Sequence, residues 1–314
     1  MGADTGRMSA AIPTATPTWS VHLKLLGMAA LWGASWPTGK VVAQALPAMT
    51  ASTWRFALAL GLMLAWLGAT VGVRSLTALS GRQWAGLALG GALGVFGYAA
   101  FFLLGLQHVP AGRAALVVTT NPVLTSLLAA WWFGERLNAR IGLGMALAVA
   151  GAAVVLTHGA PWTLLSGGVG WGEALLLGCV LCWSGYTLVA KRLLGGIDAL
   201  TTTTVTAGFG LALLALSAWG FEGREALAQP LQASAGVWAA LVFLAAGATV
   251  LAYAWYFEGV KALGAGSASA YISLVPVFGV LFATLGLGEA VDASLLVGGA
   301  LVLAGMVVMN RARR

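Results

Sequence analysis

A pattern of helix-breaking residues occurs twice in this chain, 154 residues apart, each time inside stretches apolar enough to cross a lipid bilayer. The first copy places Gly105, Ala111–Gly112, Pro122, Gly134–Glu135, Gly144 and Gly151 in order. The second places Gly259, Ala265–Gly266, Pro276, Gly288–Glu289, Gly298 and Gly305. Chance sharing of glycines between two apolar stretches does not reproduce a proline, a Gly–Glu pair and several glycines at one spacing. Apolar helices broken at matched depths in two copies point toward a transporter built from two repeats.

Composition fixes the solvent. Sixty per cent of the residues are hydrophobic and 8% are charged, where a soluble domain carries about 25%. The surface therefore faces lipid. Residues 1–21 are polar and rich in Pro and Thr, which reads as a disordered tail rather than a cleaved signal. Cys179 and Cys182 are the only cysteines and sit in an apolar stretch, so they read as small packing residues. Two lone thiols cannot make a metal site, and neither a metal nor a cofactor is expected.

A spanning helix needs about 20 mainly apolar residues. The sequence yields ten such segments, at 22–42, 51–71, 84–106, 111–133, 140–157, 171–190, 200–221, 236–257, 264–286 and 292–309. They fall into a first repeat at 22–157 and a second at 171–309, joined by a linker at 158–170 and followed by a basic tail at 310–314. Five spans per repeat is an odd number, so the second copy runs through the membrane upside down. The expected fold is all-α and integral to the membrane, with two inverted five-helix repeats around a central cavity. The first helices match too, at an offset of 151, with Leu25–Leu26–Gly27, Trp32 and Lys40 answering Leu176–Leu177–Gly178, Trp183 and Lys191.

Counting Lys and Arg by side gives orientation. With the N-terminus cytoplasmic, twelve cations, Arg7, Arg74, Arg313 and Arg314 among them, collect on one side. Only Lys40, Arg55, Arg113 and Arg224 fall on the other. Both termini are therefore expected inside. The net charge of +7 then reflects anionic inner-leaflet lipid, and nucleic acid need not be invoked.

Several segments carry a family likeness. They are Leu31–Trp32–Gly33–Ala34–Ser35, Trp54–Arg55–Phe56, Ala111–Gly112 through Asn121–Pro122 to Phe133–Gly134–Glu135–Arg136, and the second copy from Ala265–Gly266 through Val275–Pro276 to Leu287–Gly288–Glu289. Over about residues 22–310 the chain resembles the drug/metabolite transporter superfamily in its ten-span form with two EamA domains. The resemblance implies a secondary transporter of the bacterial inner membrane with a cavity between its halves. It does not specify the cargo.

Candidate site residues follow from depth and chemistry. Pro122 and Pro276, near the centres of spans 4 and 9, each remove a backbone donor and oppose the carbonyls of Val118 and Ile272. They read either as hinges shaping the cavity or as packing kinks. Asn121 either bonds a neighbouring helix or faces substrate. Trp32, Ser35 and Trp36 share one face of span 1, answered in span 6 by Trp183 and Tyr186. Such stripes suit a cavity wall, helix packing being the alternative. Tyr98 and Phe101 in span 3, Tyr253 and Tyr256 in span 8, and Tyr271 in span 9 complete the set. A deep tyrosine needs a partner for its hydroxyl, found in a wet cavity or on a neighbouring helix. Trp19, Trp84, Trp162, Trp171 and Trp238 are assigned to interfacial belts. Lys40, Arg55 and Arg113 read as cations at span ends that snorkel, Lys40 also being placed to hold a substrate carboxylate or phosphate.

All nine acidic residues fall in tails, loops or span ends, and His22, His108 and His158 lie at boundaries. Proton-driven pumps carry such groups within the membrane, so facilitation or exchange is expected. No constellation of titratable groups supports catalysis, which leaves an enzyme or a receptor as the weaker classes. The expected activity is movement of a small amphipathic, amino-acid-like metabolite, as an exporter or exchanger. Efflux of cationic drugs is the alternative, although it would want a buried carboxylate. Membrane lipid is the expected surroundings, with the chain a monomer or a homodimer.

Overall fold

A computed structural model describes residues 18–72, 76, 79–162 and 170–312. Arg7, Arg74, Arg313 and Arg314, together with the tail before residue 18 and most of the 158–170 linker, lie outside the described residues. The described chain is helical, in ten long elements: α1 (Thr18–Ala45), α2 (Ala48–Thr70), α3 (Gly81–His108), α4 (Ala111–Phe133), α5 (Ala139–Leu156), α6 (Trp171–Leu193), α7 (Ala199–Glu222), α8 (Ala235–Leu263), α9 (Gly266–Leu287) and α10 (Ala293–Ala312). Nine are long and apolar enough to cross a membrane by length and composition; α1 is not among them. The difference is physical. Helix α1 packs against α2, α3, α4, α8 and α9, so protein rather than lipid covers it and Ser35, Thr38 and Lys40 are tolerated.

The breaks fall where the duplicated residues stand. Helix α4 loosens at Thr119–Thr120 and resumes with Pro122 in its first turn, and α9 passes through a tighter 3₁₀ turn at Tyr271–Leu274 before Pro276. The Ile272 carbonyl, expected to lose its donor, instead accepts from the Val275 N–H across that turn. Both helices then stop on a left-handed glycine, Gly134 and Gly288, each with φ of 68°. Helices α3 and α8 are also matched, each widening to a π-helical stretch in mid-span, Gly91–Gly97 and Phe243–Leu251.

Helix pairs recur when the repeats are exchanged. Helix α1 packs on α9 as α6 packs on α4, α3 on α6 as α8 on α1, and α7 on α3 as α2 on α8. Helices α2 and α7, and α5 and α10, pair with their own counterparts. The packing of α5 on α10 depends on small residues. A Cβ added at Gly151 would stand 2.5 Å from the Gly298 carbonyl oxygen, and one at Gly298 would stand 2.7 Å from that of Gly151. Gly144 faces the Gly305 carbonyl at 2.7 Å in the same way.

Backbone cannot yield as a flexible side chain does, so overpacking is costly here. Gly151→Ala and Gly298→Ala are each expected to destabilise the protein by about 1–3 kcal/mol, read as a lower melting temperature in detergent. Gly142→Ala, which meets open space, serves as the control. Equal melting temperatures for all three would remove the close-approach account.

Candidate functional site

Two aromatic contacts bridge the repeats in mid-membrane. Trp32 on α1 meets Tyr253 on α8 edge-on, with centroids 5.3 Å apart, and Tyr256 at 5.7 Å. Its counterpart Trp183 on α6 meets Tyr98 on α3 at 5.5 Å and Tyr186 at 5.7 Å. All six rings are half-buried, and all belong to the middle portions of their helices. The π-helical stretches end at the tyrosines they present. Widening of this kind frees backbone acceptors and recurs at functional sites. Trp32 Nε1 donates to the Ala248 carbonyl at 2.9 Å, and Thr249 Oγ1 to that of Leu244 at 2.7 Å. Across the site the ring of Tyr186 lies on Gly94, where a Cβ would be 2.6 Å away.

The remaining predicted residues separate. Asn121 sits in the middle of α4 with Oδ1 buried and unpartnered among the described residues, while its backbone carbonyl accepts from Ser184 Oγ at 3.4 Å. Ser35 Oγ turns back to its own helix, onto the Trp32 carbonyl at 2.6 Å. Trp36 is buried and packs edge-on to Phe102 at 5.0 Å. Phe101 lies against Gly178. Lys40 is at the far end of α1, its Nζ donating to the Val109 carbonyl at 3.1 Å. Tyr271 is at the opposite end, sharing a hydrogen bond of 2.7 Å with His22.

Two cations read as snorkelling do not snorkel. Arg113 is buried, ion-paired to Asp292 and donating to the Val155 carbonyl at 2.6 Å, so it ties α4, α5 and α10 together. Arg55 lies about one turn from the middle of α2, with Nη2 donating to Thr249 Oγ1 at 3.2 Å. The helix begins earlier than its apolar run suggests. Its end is roofed by the 3₁₀ segment Ala226–Gln232, whose Leu227 carbonyl accepts from Trp54 Nε1 at 3.0 Å. Trp238, expected in an interfacial belt, joins the same roof, donating to the Pro230 carbonyl at 2.8 Å.

The two ends of the bundle differ. At the end where α4 begins, Glu289 accepts from the N–H groups of Ala111 at 2.7 Å and Gly112 at 2.9 Å. Glu222 does the same for Met49 and Thr50 at the start of α2, both at 2.8 Å. Carboxylates at helix N-termini meet free donors and the positive end of the dipole. The counterpart of Glu289 is Glu135, and that of Gly112 is Gly266. At their end Glu135 pairs with Lys191, and nothing stands near the position a Gly266 Cβ would take. The first half of α4 packs on the second half of α9, while the mirror-related halves make no comparable packing. One end is closed and the other parted. Outside the bundle lies an apolar groove of about 540 Å³ between α1, α8 and α9, lined by Pro37, Val41, Phe243 and Leu285 among others. It contains none of the bridging aromatics.

Among the described residues no group of three His, Cys, Asp or Glu side chains is arranged to hold a metal.

Acidification probes the Arg113 anchor. Asp292 titrates below the ordinary carboxylate range because Ser294 Oγ and the Leu295 N–H hydrogen-bond its carboxylate, with Arg113 adding attraction. A folded-state value below the unfolded one gives stabilisation that is complete above about pH 4 and drains as pH falls through the folded value. Asp292→Asn should lower the melting temperature at pH 7, with the gap from wild type narrowing below about pH 4. A gap independent of pH would show that the charge contributes nothing.

The model of the EamA-like transporter family matches residues 19–157 and again 170–311. The uncharacterized transporter YyaM of Bacillus subtilis is 28% identical, over 93% of each chain. A probable terminal-alkyne amino-acid exporter of Streptantibioticus cattleyicolor is 31% identical over 72% of each chain. The aromatic amino acid exporter YddG of Ancylobacter novellus is 30% identical over 67% of this chain and 72% of its own. A crystal structure at 24% identity superposes with a TM-score of 0.63, covering 92% of this chain and 96% of its own, which speaks to the fold alone.

Proposed function

Because the chain belongs to the EamA-like transporter family, we propose that it moves a small amphipathic, amino-acid-like metabolite across the bacterial inner membrane by alternating access. The observation that carries this reading is the asymmetry of the two ends. Glu289 holds the start of α4 shut while Glu135, its counterpart, is engaged elsewhere and the start of α9 is left open. Exchanging the roles of the repeats gives the opposite state, in which Glu135 caps the N–H groups of residues 265–266 and Glu289 turns to Lys40. Pro122 and Pro276 serve as the hinges, since each precedes the half of its helix that carries the glutamate.

Trp32, Tyr98, Asn121, Trp183, Tyr186, Tyr253 and Tyr256 form the binding site in this reading, with apolar ring faces for the cargo's body. Lys40 and Tyr271 belong to the two closing ends, and Ser35, Trp36 and Phe101 support the wall from behind. The names of the Streptantibioticus and Ancylobacter relatives favour amino acids as cargo. The bias of twelve cations against four supports cytoplasmic termini. The parted end then faces the cytoplasm, the loading state of an exporter. With every carboxylate of the described residues at a helix end or in a loop, facilitation or exchange is favoured over proton coupling, and cationic drugs find no counter-charge. The chain acts among lipid as a monomer or a homodimer, without nucleic acid or cofactor.

Flux of radiolabelled amino acids, nucleosides and sugars through proteoliposomes tests the activity directly, and no flux of any compound would remove the proposal. Glu289→Ala and Glu135→Ala test the exchange of caps. Both should slow flux at least tenfold, the loss of about 1.4 kcal/mol. Hydrogen exchange at residues 111–118 should accelerate in Glu289→Ala alone. Wild-type flux in Glu135→Ala would refute the cap exchange, because that residue caps nothing in the present state.

A further inference from the structure

Among the described residues the guanidinium of Arg55 has no counter-charge. It stands in mid-membrane between two phenyl rings, with Cζ 5.0 Å from the centroid of Phe56 and 5.7 Å from that of Phe102. Its Nη2 has a single protein acceptor, Thr249 Oγ1, and its Nε is buried with none among the described residues. The hydroxyls of Tyr98 and Tyr253, the two tyrosines that bridge the repeats, lie within its electrostatic reach. Both are neutral and supply no counter-charge.

Every described carboxylate is committed elsewhere or distant. Glu222 and Glu289 cap helices, Glu258 pairs with Lys24, Glu135 with Lys191 and Asp292 with Arg113. Asp198 caps its own helix. Glu173 and Glu225 sit in the first turn of α6 and beside the 3₁₀ segment. An arginine cannot discard its proton to escape burial. A cation held at this depth without a partner marks a functional site, because the bundle otherwise gains nothing by keeping it.

We infer that Arg55 is the subsite for a carboxylate on the cargo, held by the planar fork of the guanidinium with its apolar body against Trp32, Trp183 and the tyrosines. The fork matches a carboxylate with two parallel hydrogen bonds, and the aromatic faces behind it keep the charge from being hydrated away. The site therefore takes organic acids and zwitterions and rejects amines. Its place also explains the widened helix: Thr249, in the π-helical stretch of α8, uses its hydroxyl both to hold Arg55 and to reach the Leu244 carbonyl. This assignment rests on the transport reading above and gives it a chemical selectivity.

The test is binding to the purified full chain by calorimetry, with L-phenylalanine, 3-phenylpropionate, phenethylamine and phenylalaninamide. Wild type is expected to bind the two carboxylates and to bind the amine and the amide at least tenfold more weakly. In Arg55→Gln the preference should vanish, with affinity for the carboxylates falling roughly tenfold to a hundredfold. Arg55→Lys should keep the preference at reduced affinity, because the charge survives and the fork does not. Lys261→Gln, at an exposed position in the last turn of α8, should bind as wild type. Should Arg55→Gln not fold, the wild-type ligand series and Arg55→Lys decide the matter. Equal binding of phenethylamine and phenylpropionate by wild type would overturn the assignment, as would wild-type affinity in Arg55→Gln. If the proteoliposomes carry some compound but the protein binds no carboxylate, the subsite is wrong and the transport reading stands. If they carry nothing, the transport reading itself has failed.

Discussion

Lipid offers no hydrogen bonds, so every backbone N–H and C=O at membrane depth must find its partner inside the protein. The architecture of this chain is a set of answers to that demand. Where α9 loses a turn before Pro276, a 3₁₀ bond from Val275 to Ile272 takes over. Beside Pro122, the hydroxyls of Thr119 and Thr120 return to the carbonyls of Ala115 and Val117. Where α2 and α4 begin, glutamates from other helices supply the acceptors. A break in such a helix can persist only with a local remedy.

That is why the repeats matter beyond their economy of design. Two halves with the same helices and the same breaks can hold the same contacts at either end of the molecule. The glycine-lined seam of α5 on α10 pairs a helix with its own counterpart, so it can stay fixed while α4 and α9 alternate. Rigid support and moving parts are thus drawn from the same duplicated segment.

Much of this was legible in the residues. The spacing of Gly105 through Gly151 and its second copy declared the duplication, and an odd number of spans per copy declared the inversion. The matched placement of Trp32 and Trp183 on their helices was legible because a stripe on one face of a helix is visible in one dimension. The π-helical stretches were not, because no residue type announces an extra residue in a turn. Arg113 and Arg55 were misread for a common reason. Distance from the end of an apolar run is not distance from water here, because Asp292 and the 226–232 roof extend the protein past both runs. The partnership of Glu289 with Ala111 was hidden because the Gly–Glu pair serves its own helix as a stop while the carboxylate serves another.

Arg55 is a departure from the symmetry that governs its neighbours. Aligning Ala48 with Ala199, the first residues of α2 and α7, puts Thr206 at the position matching Arg55, a residue with no charge. The scaffold is nearly palindromic, but its lining has a positive pole on one side only. A load with an acidic head must therefore enter head-first toward α2 and keep that bearing throughout the journey, however the walls rock around it.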